Sequence, residues 1–382
     1  MTILRLSRTA AVWLAWLLTL CAFPAPGQAQ IVNVLGWNDY IDPDVIADFT
    51  EETGIEVTYD SYNSDAALER RLKAGKETFD VVIVSGPALS KQIAAGVYQK
   101  LDENRLPNRK YLWPEIMQLL SAYDIGNRFA VNYMWFTLGI SYNAEKIRSN
   151  VEAVASRRAS ARSLASPPFD SWSVLFKPDS LRKFSNCGVG VVDDREYLLA
   201  IARRYLWSDW KSAAGLSHET DLKRAGDMLG AVLRDVKKLD ASNFVAALAN
   251  GEICLAVGYS LDGFRARDQA REANNGAEIN YVLPREGAPV LMDNLAIPKA
   301  APHVAEAYRF IDFLLRPEIA ARNTDFTHAA NGIFASKPLV DKSISGNKSV
   351  YPDAAVVERL FVPEQTYART RDAFLREWVR MK

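Results

Sequence analysis

Trp37, Asn38, Asp39 and Tyr40 close an apolar run that begins at Ile31, and they stand just ahead of Asp42-Pro43, a pair suited to opening a helix. They therefore fall at the carboxyl end of a strand, the edge where open α/β sheets bind ligands. An indole beside a carboxylate suits an alkylammonium ion: the ring face attracts the cation, and the carboxylate supplies the countercharge a desolvated ammonium requires. The structural alternative is a core tryptophan followed by an acid placed favourably at a helix N-terminus. The same alternative applies to Glu196 and Asp262, which open helical segments, while Asp293 also fits an ordinary turn.

Catalytic signatures are missing. Gly258-Tyr259-Ser260-Leu261-Asp262 begins like a nucleophile elbow but carries Asp where the second Gly is needed. Gly75-Lys76 lacks the upstream Gly and the following Ser or Thr of a phosphate loop, and Cys187-Gly188-Val189-Gly190 is no dinucleotide fingerprint. The histidines, His218, His303 and His328, are too scattered for a local metal motif. Neither a metal nor a cofactor is expected.

The elements that must position these residues alternate. A strand at Ile31 to Trp37 is followed by a helix closing near Gly54, a strand Ile55 to Tyr59, and a helix that Ser64 opens and Gly75 ends. Next come a strand Asp80 to Val84 and a helix Ala88 to Gly96. A long extended stretch from Phe129 to Tyr142, with Gly139 inside it, suits a crossing between two lobes. Helices follow at Glu196 to Trp207, Asp221 to Leu239 and Asn243 to Asn250, then a strand Ile253 to Gly258 and a helix starting near Asp262. A late strand, Val290 to Ile297, and an amphipathic helix, Val304 to Leu315, resume the alternation, so the fold class is α/β.

The first residues read as a secretory signal: Arg5 and Arg8, an apolar run from Ala10 to Phe23, and small residues ending at Ala29. That run is shorter than the roughly 20 residues that span a bilayer, and Leu20 stands where a lipid-attachment signal at Cys21 would want a small residue. The expected location is the periplasm, with cleavage after Ala29. About 350 residues then remain, enough for two domains at ~100 to 200 residues each. Basic and acidic residues number 46 each, so no nucleic-acid footprint is present. The small, basic segment 154–166, with Arg157, Arg158 and Arg162, reads as a solvated loop. Cys187 and Cys254 form an even pair in an oxidising compartment, which favours a disulfide over two buried thiols.

Taken in order, the motifs resemble the periplasmic putrescine-binding and spermidine-binding proteins of bacterial importers, extracellular solute-binding proteins. That family's Trp-Ser-Asp-Tyr stands here as Trp37-Asn38-Asp39-Tyr40, followed by Ile41-Asp42-Pro43-Asp44, Glu52-Thr53-Gly54-Ile55 and Phe79-Asp80-Val81-Val82-Ile83-Val84-Ser85. Tyr133-Met134-Trp135, Cys187-Gly188-Val189, Asn250-Gly251-Glu252-Ile253-Cys254, Arg285-Glu286-Gly287-Ala288 and Phe313-Leu314-Leu315-Arg316-Pro317 continue the likeness. It covers nearly the whole chain after the signal, with the basic segment as an insertion.

The resemblance implies a two-lobed, type II-like periplasmic binding protein with its ligand cleft between lobes and a hinge of crossing strands. The expected lobes are 30–136 with 293–325, and 137–292 with 326–382, after a signal at 1–29. Carboxylates from both lobes, Asp39, Glu196, Asp262 and Asp293, would grip a small cation, beside Trp37, Asn38, Tyr40 and the Ser85 hydroxyl. Where the family has a Trp this chain has Tyr259, where it has an aromatic two residues before the last Asp it has Leu291, and its late pocket Tyr falls on Ala329, beside His328. The pocket is therefore expected to be wider. The implied function is the substrate-binding component of an ABC importer, a monomer that meets an inner-membrane permease and binds a polyamine. The alternatives are another cation (a guanidinium compound, an amino-acid derivative or a polyamine conjugate), a hydrolase or transferase with Asp39 and Glu196 as acid and base, and a ligand-sensing adaptor.

Overall fold

A computed structural model of the chain describes residues 30–75, 78–149, 169–184, 186–207, 218–233, 235–239 and 241–363. The expected signal and the basic segment 154–166 lie outside the described residues. Strands β1 (Ile31–Trp37), β2 (Glu56–Tyr62) and β3 (Val81–Ser85) pair in parallel with β1 central. Parallel neighbours require crossovers, which the helices Pro43–Thr53 and Asp65–Ala74 provide. Their ends follow local chemistry. The Asp42 carboxylate accepts from the Asp44 amide at 2.9 Å, Ser64 accepts from the Ala67 amide at 3.2 Å, and Gly54 and Gly75 leave their helices at φ of 69° and 60°.

The 14-residue strand β4 (Ala130–Asn143) joins two halves of the molecule. Its first part, through Thr137, pairs antiparallel with β9 (Val290–Ala296), which itself borders β3. From Leu138 onward it pairs instead with β7 (Leu255–Tyr259) and, from Ile140, with β8 (Ile279–Val282). At the change of partner the Leu138 amide donates to the Pro289 carbonyl at 3.1 Å. Gly139 is needed there because a Cβ would stand 2.7 Å from the Val282 carbonyl oxygen. Beyond β7 lie β5 (Val189–Val191) and β6 (Lys238–Leu239), giving the order β2-β1-β3-β9-β4-β7-β5-β6.

The helix expected over Asp221 to Leu239 ends early. It runs His218–Leu233, and Lys238 and Leu239 pair with Gly190 and Val191 as the parallel edge strand β6. Unpaired edge amides and carbonyls of β5 gained partners, and that outweighed a helical period continuing through Val236 and Leu239. The short strand β5 carries too few residues to show a period of two.

Hydrophobic clusters largely follow the partner change of β4, except that Phe264 and Tyr281 join the first one. One holds residues up to Trp135 together with Leu295, Phe310 and Phe313, and the next begins at Leu138 and includes Trp172, Leu198, Leu229 and Val257. The C-terminal stretch touches both sides of the junction. Tyr351 stacks on Trp113 at 6.2 Å, while the Ser349 hydroxyl donates to the Tyr281 carbonyl and Phe361 bridges to Pro289. Among the described residues no helix is long and apolar enough to cross a membrane.

Cys187 and Cys254 are bonded, with Cα atoms 5.4 Å apart and 67 positions of separation. They stand just before β5 and β7, which pair from Val189 and Leu255. Closing a loop of that length stabilises a fold by about 4 kcal/mol in the chain-entropy model. Thiol titration of denatured, unreduced protein is expected to find neither cysteine free, and Cys187→Ala with Cys254→Ala to lower the unfolding free energy by up to that amount. Two titratable thiols would contradict the bond.

Candidate ligand-binding site

Asp293 is the centre of the site. It sits in β9 opposite Ser85 of β3, 5% exposed, and has no cationic partner among the described residues. Trp37 Nε1 donates to Oδ1 at 3.0 Å and the Tyr40 hydroxyl donates to Oδ2 at 2.7 Å. Burial pushes this carboxyl up to about 6, while those two donors pull it down and nearby Asp65 raises it further. The local chain explains the donors. Trp37 ends β1, and Asp39 takes a left-handed φ of 52°, which turns the chain so that Trp37 and Tyr40 reach the same carboxylate. Trp37 also packs on Tyr62, with ring centroids 4.4 Å apart.

The opposite side comes from β7 and the helix Ser260–Glu272. Asp262, in that helix's first turn, is pushed up to about 6 by burial, partly offset by Arg265 at 3.9 Å. The Tyr259 hydroxyl donates to Asp194 Oδ2 at 2.8 Å. Asp194 caps the helix Arg195–Leu206, and its carboxyl is raised by burial and then lowered by the Tyr259 hydroxyl. Tyr259 lies within the fields of Asp194, Asp262 and Asp293 together, so carboxylates from both sides of the β4 junction converge on one region.

Two part-buried acids carry no distinctive sequence signal. Asp65, the first residue of its helix, accepts from the Ser85 hydroxyl at 2.6 Å through Oδ2, while its buried Oδ1 has no hydrogen-bond partner. Burial raises its carboxyl. Asp65 and Asp194 each follow the helix-start pattern, which their neighbours Ser64 and Glu196 share, so nothing local separates them. The expected residues Asn38, Asp39 and Glu196 are exposed, with the Asn38 amide donating to Asp39 at 2.6 Å.

Ser85 stands beside Asp293, but its hydroxyl serves Asp65 and caps the Ala88 amide at 3.3 Å. Leu291 is part-buried on β9, two residues from Asp293. Ala329 is 1% exposed and offers almost no surface. His328 ends the helix Pro317–Thr327 at φ 60°, with Nδ1 3.5 Å from Asp268, and shares a cavity of about 270 Å³ with Asp39, Arg265 and Glu272. A cavity of about 600 Å³ between the helix Ser260–Glu272 and β8 contains none of the buried carboxylates.

A family model described as bacterial extracellular solute-binding protein matches residues 44–333. The chain belongs to that family. This solute-binding protein is 39% identical over 357 residues to the putrescine-binding periplasmic protein SpuD of Pseudomonas aeruginosa, over 92% of each chain. It is 36% identical to the putrescine-binding periplasmic protein PotF of Escherichia coli, over 93% of this chain and 92% of that one. Its fold resembles the spermidine/putrescine ABC transporter substrate-binding protein PotD from Streptococcus pneumoniae with a TM-score of 0.76 and 24% identity, over 92% and 98% of the two chains. A putative spermidine/putrescine ABC transporter from Listeria monocytogenes gives 0.71 at 28% identity, over 92% and 98%. The fold is the two-lobed, type II-like one that the motif order implies.

Because the Asp293 carboxyl is raised above its unfolded value, it contributes stability that is present below about pH 4 and lost as pH rises through about 6. Tyr40→Phe removes a donor to the ionised form and raises that carboxyl further. Urea unfolding of the ligand-free variant is therefore expected to show a loss of about 1 to 3 kcal/mol at pH 7.5 and a smaller loss at pH 4.5, where Asp293 holds its own proton.

Proposed function

We propose that this solute-binding protein is the periplasmic substrate-binding component of an ABC importer and binds a polyamine or a closely related small organic cation. One observation carries the reading: Asp293 and Asp262, on opposite sides of the β4 junction, are desolvated carboxylates whose acidity is shifted by burial. An organic dication would restore both charges, which a neutral or anionic solute could not do. The names of relatives aligned over nine-tenths of the chain support the same ligand class.

In this reading lobe 1 is 30–136 with 293–325 and lobe 2 is 137–292 with 326–382, although Tyr351 of the last stretch stacks on Trp113 of lobe 1. Asp293, Asp262, Asp39 and Glu196 take the ammonium groups, with Trp37 and Tyr259 as aromatic walls and Tyr40 and Ser85 supporting. Asn38, Leu291, His328 and Ala329 border the site. Closure is favoured because carboxylates of both lobes reach one ligand only when the cleft shuts. A monomer in the closed form then presents its occupied state to an inner-membrane permease. No chemical step occurs: the ligand leaves unchanged.

Isothermal titration with putrescine, cadaverine, spermidine, agmatine and arginine is expected to give stoichiometric binding for at least one polyamine, with Asp262→Asn weakening it by about 2 to 5 kcal/mol. Tight binding of an anion or a neutral sugar, with every cation inert, would overturn the reading. Turnover of ligand beyond one equivalent, abolished by Asp39→Asn, would overturn the receptor assignment. Affinity should be level above pH 6 and fall below it, by up to about tenfold per pH unit for each carboxylate that must first lose its proton. Titrations at pH 5, 6 and 7.5 check that slope.

A further inference from the structure

Phe136 is a ring the core does not use. It is part-buried in the middle of β4 and joins none of the three hydrophobic clusters of the described residues. The register against β9 sets Met134 opposite Asp293 and Phe136 opposite Leu291. Directly paired residues, and residues two apart on one strand, share a sheet face. Phe136 therefore stands on the face of Leu291 and Asp293, the face that Ser85 also occupies across β3.

Its other neighbour is Tyr259. The two rings meet edge to face, with centroids 5.7 Å apart and planes at 83°. Tyr259 is in turn held by its hydrogen bond to Asp194. One residue after Phe136, at Thr137, β4 makes its last pair with β9, and the pairing with β7 starts at Leu138. The ring thus lies at the junction, between Asp293 on one side and Tyr259 with Asp262 on the other.

We propose that Phe136 is a specificity-determining residue of the site, forming the wall against which the methylene chain of a bound dication lies. The inference rests on the polyamine reading. A ring fixed by sheet register and by Tyr259 loses little freedom on binding, offers apolar surface to methylenes, and attracts an adjacent ammonium through its face. It supplies aromatic bulk directly across from Leu291, where the strand itself has only an aliphatic side chain. The space beside Leu291 is therefore narrow, and the site selects slim linear dications over bulky ones.

The test is a ratio of affinities, because a residue that merely packs Tyr259 would change all ligands alike. Wild type, Phe136→Ala and the more conservative Phe136→Leu are titrated with putrescine, spermidine and N-benzylputrescine, a diamine carrying an added ring. Phe136→Ala is expected to weaken putrescine roughly 3- to 30-fold while N-benzylputrescine holds or tightens. Phe136→Leu should shift the ratio in the same direction and less far, and it serves alone if the alanine variant does not fold. Equal weakening of all three ligands, or an unchanged ratio, overturns the inference and leaves the polyamine reading standing. Wild-type protein that binds none of the three overturns both.

Discussion

A carboxylate without a countercharge, Asp293, governs this molecule. Its two oxygens are served by an indole N–H and a phenol O–H, which satisfy hydrogen bonding but supply no positive charge. Burial therefore holds its acidity near 6, and Asp262 across the junction is held there for the same reason. Ionising a carboxyl displaced by about two pH units costs on the order of 3 kcal/mol. A cation beside such a carboxylate offsets that cost. That cost arises from desolvation, which Asp293 meets with no cation beside it among the described residues and Asp262 with only Arg265 at 3.9 Å.

The strand β4 turns that local imbalance into a property of the whole molecule. One continuous backbone carries pairing partners of both halves, β9 before Thr137 and β7 and β8 after Leu138. The hydrophobic clusters divide near this junction, although Phe264 and Tyr281 from beyond it join the first cluster. The bond between Cys187 and Cys254 ties the starts of β5 and β7 together within the second half. The C-terminal stretch, with Tyr351 on Trp113 and Phe361 at Pro289, adds a further contact across the junction.

Aromatic surface near the buried carboxylates is distributed among strands. Leu291 and Ala329 provide no ring, and Ala329 is covered by its surroundings. Rings stand instead at Trp37, which donates to Asp293, and at Tyr259 and Phe136 by the junction. A reading of the chain that counts only losses expects a wider pocket. Register sets the Phe136 ring opposite Leu291 from a strand far away in sequence.

Local sequence by itself determined the early elements and their ends, because caps and breakers act within a few residues: Asp42, Ser64, Gly54 and Gly75 hold the positions their chemistry suits. The paired cysteines and the Trp37 to Tyr40 motif were legible for a similar reason, since residue type and compartment constrain them without any knowledge of distant contacts. Tertiary structure alone decided which acids are buried. Asp39 and Glu196 emerged exposed, and Asp65 and Asp194 part-buried, although each pair follows a like helix-start pattern. It also decided that Lys238 and Leu239 join an edge strand, that the Ser85 hydroxyl serves Asp65, and that Phe136 faces Leu291. The physical reason is common to all of these. Burial, strand register and hydrogen-bond partnership are set by residues far apart in sequence, 256 positions for Trp37 and Asp293, and no local period records them.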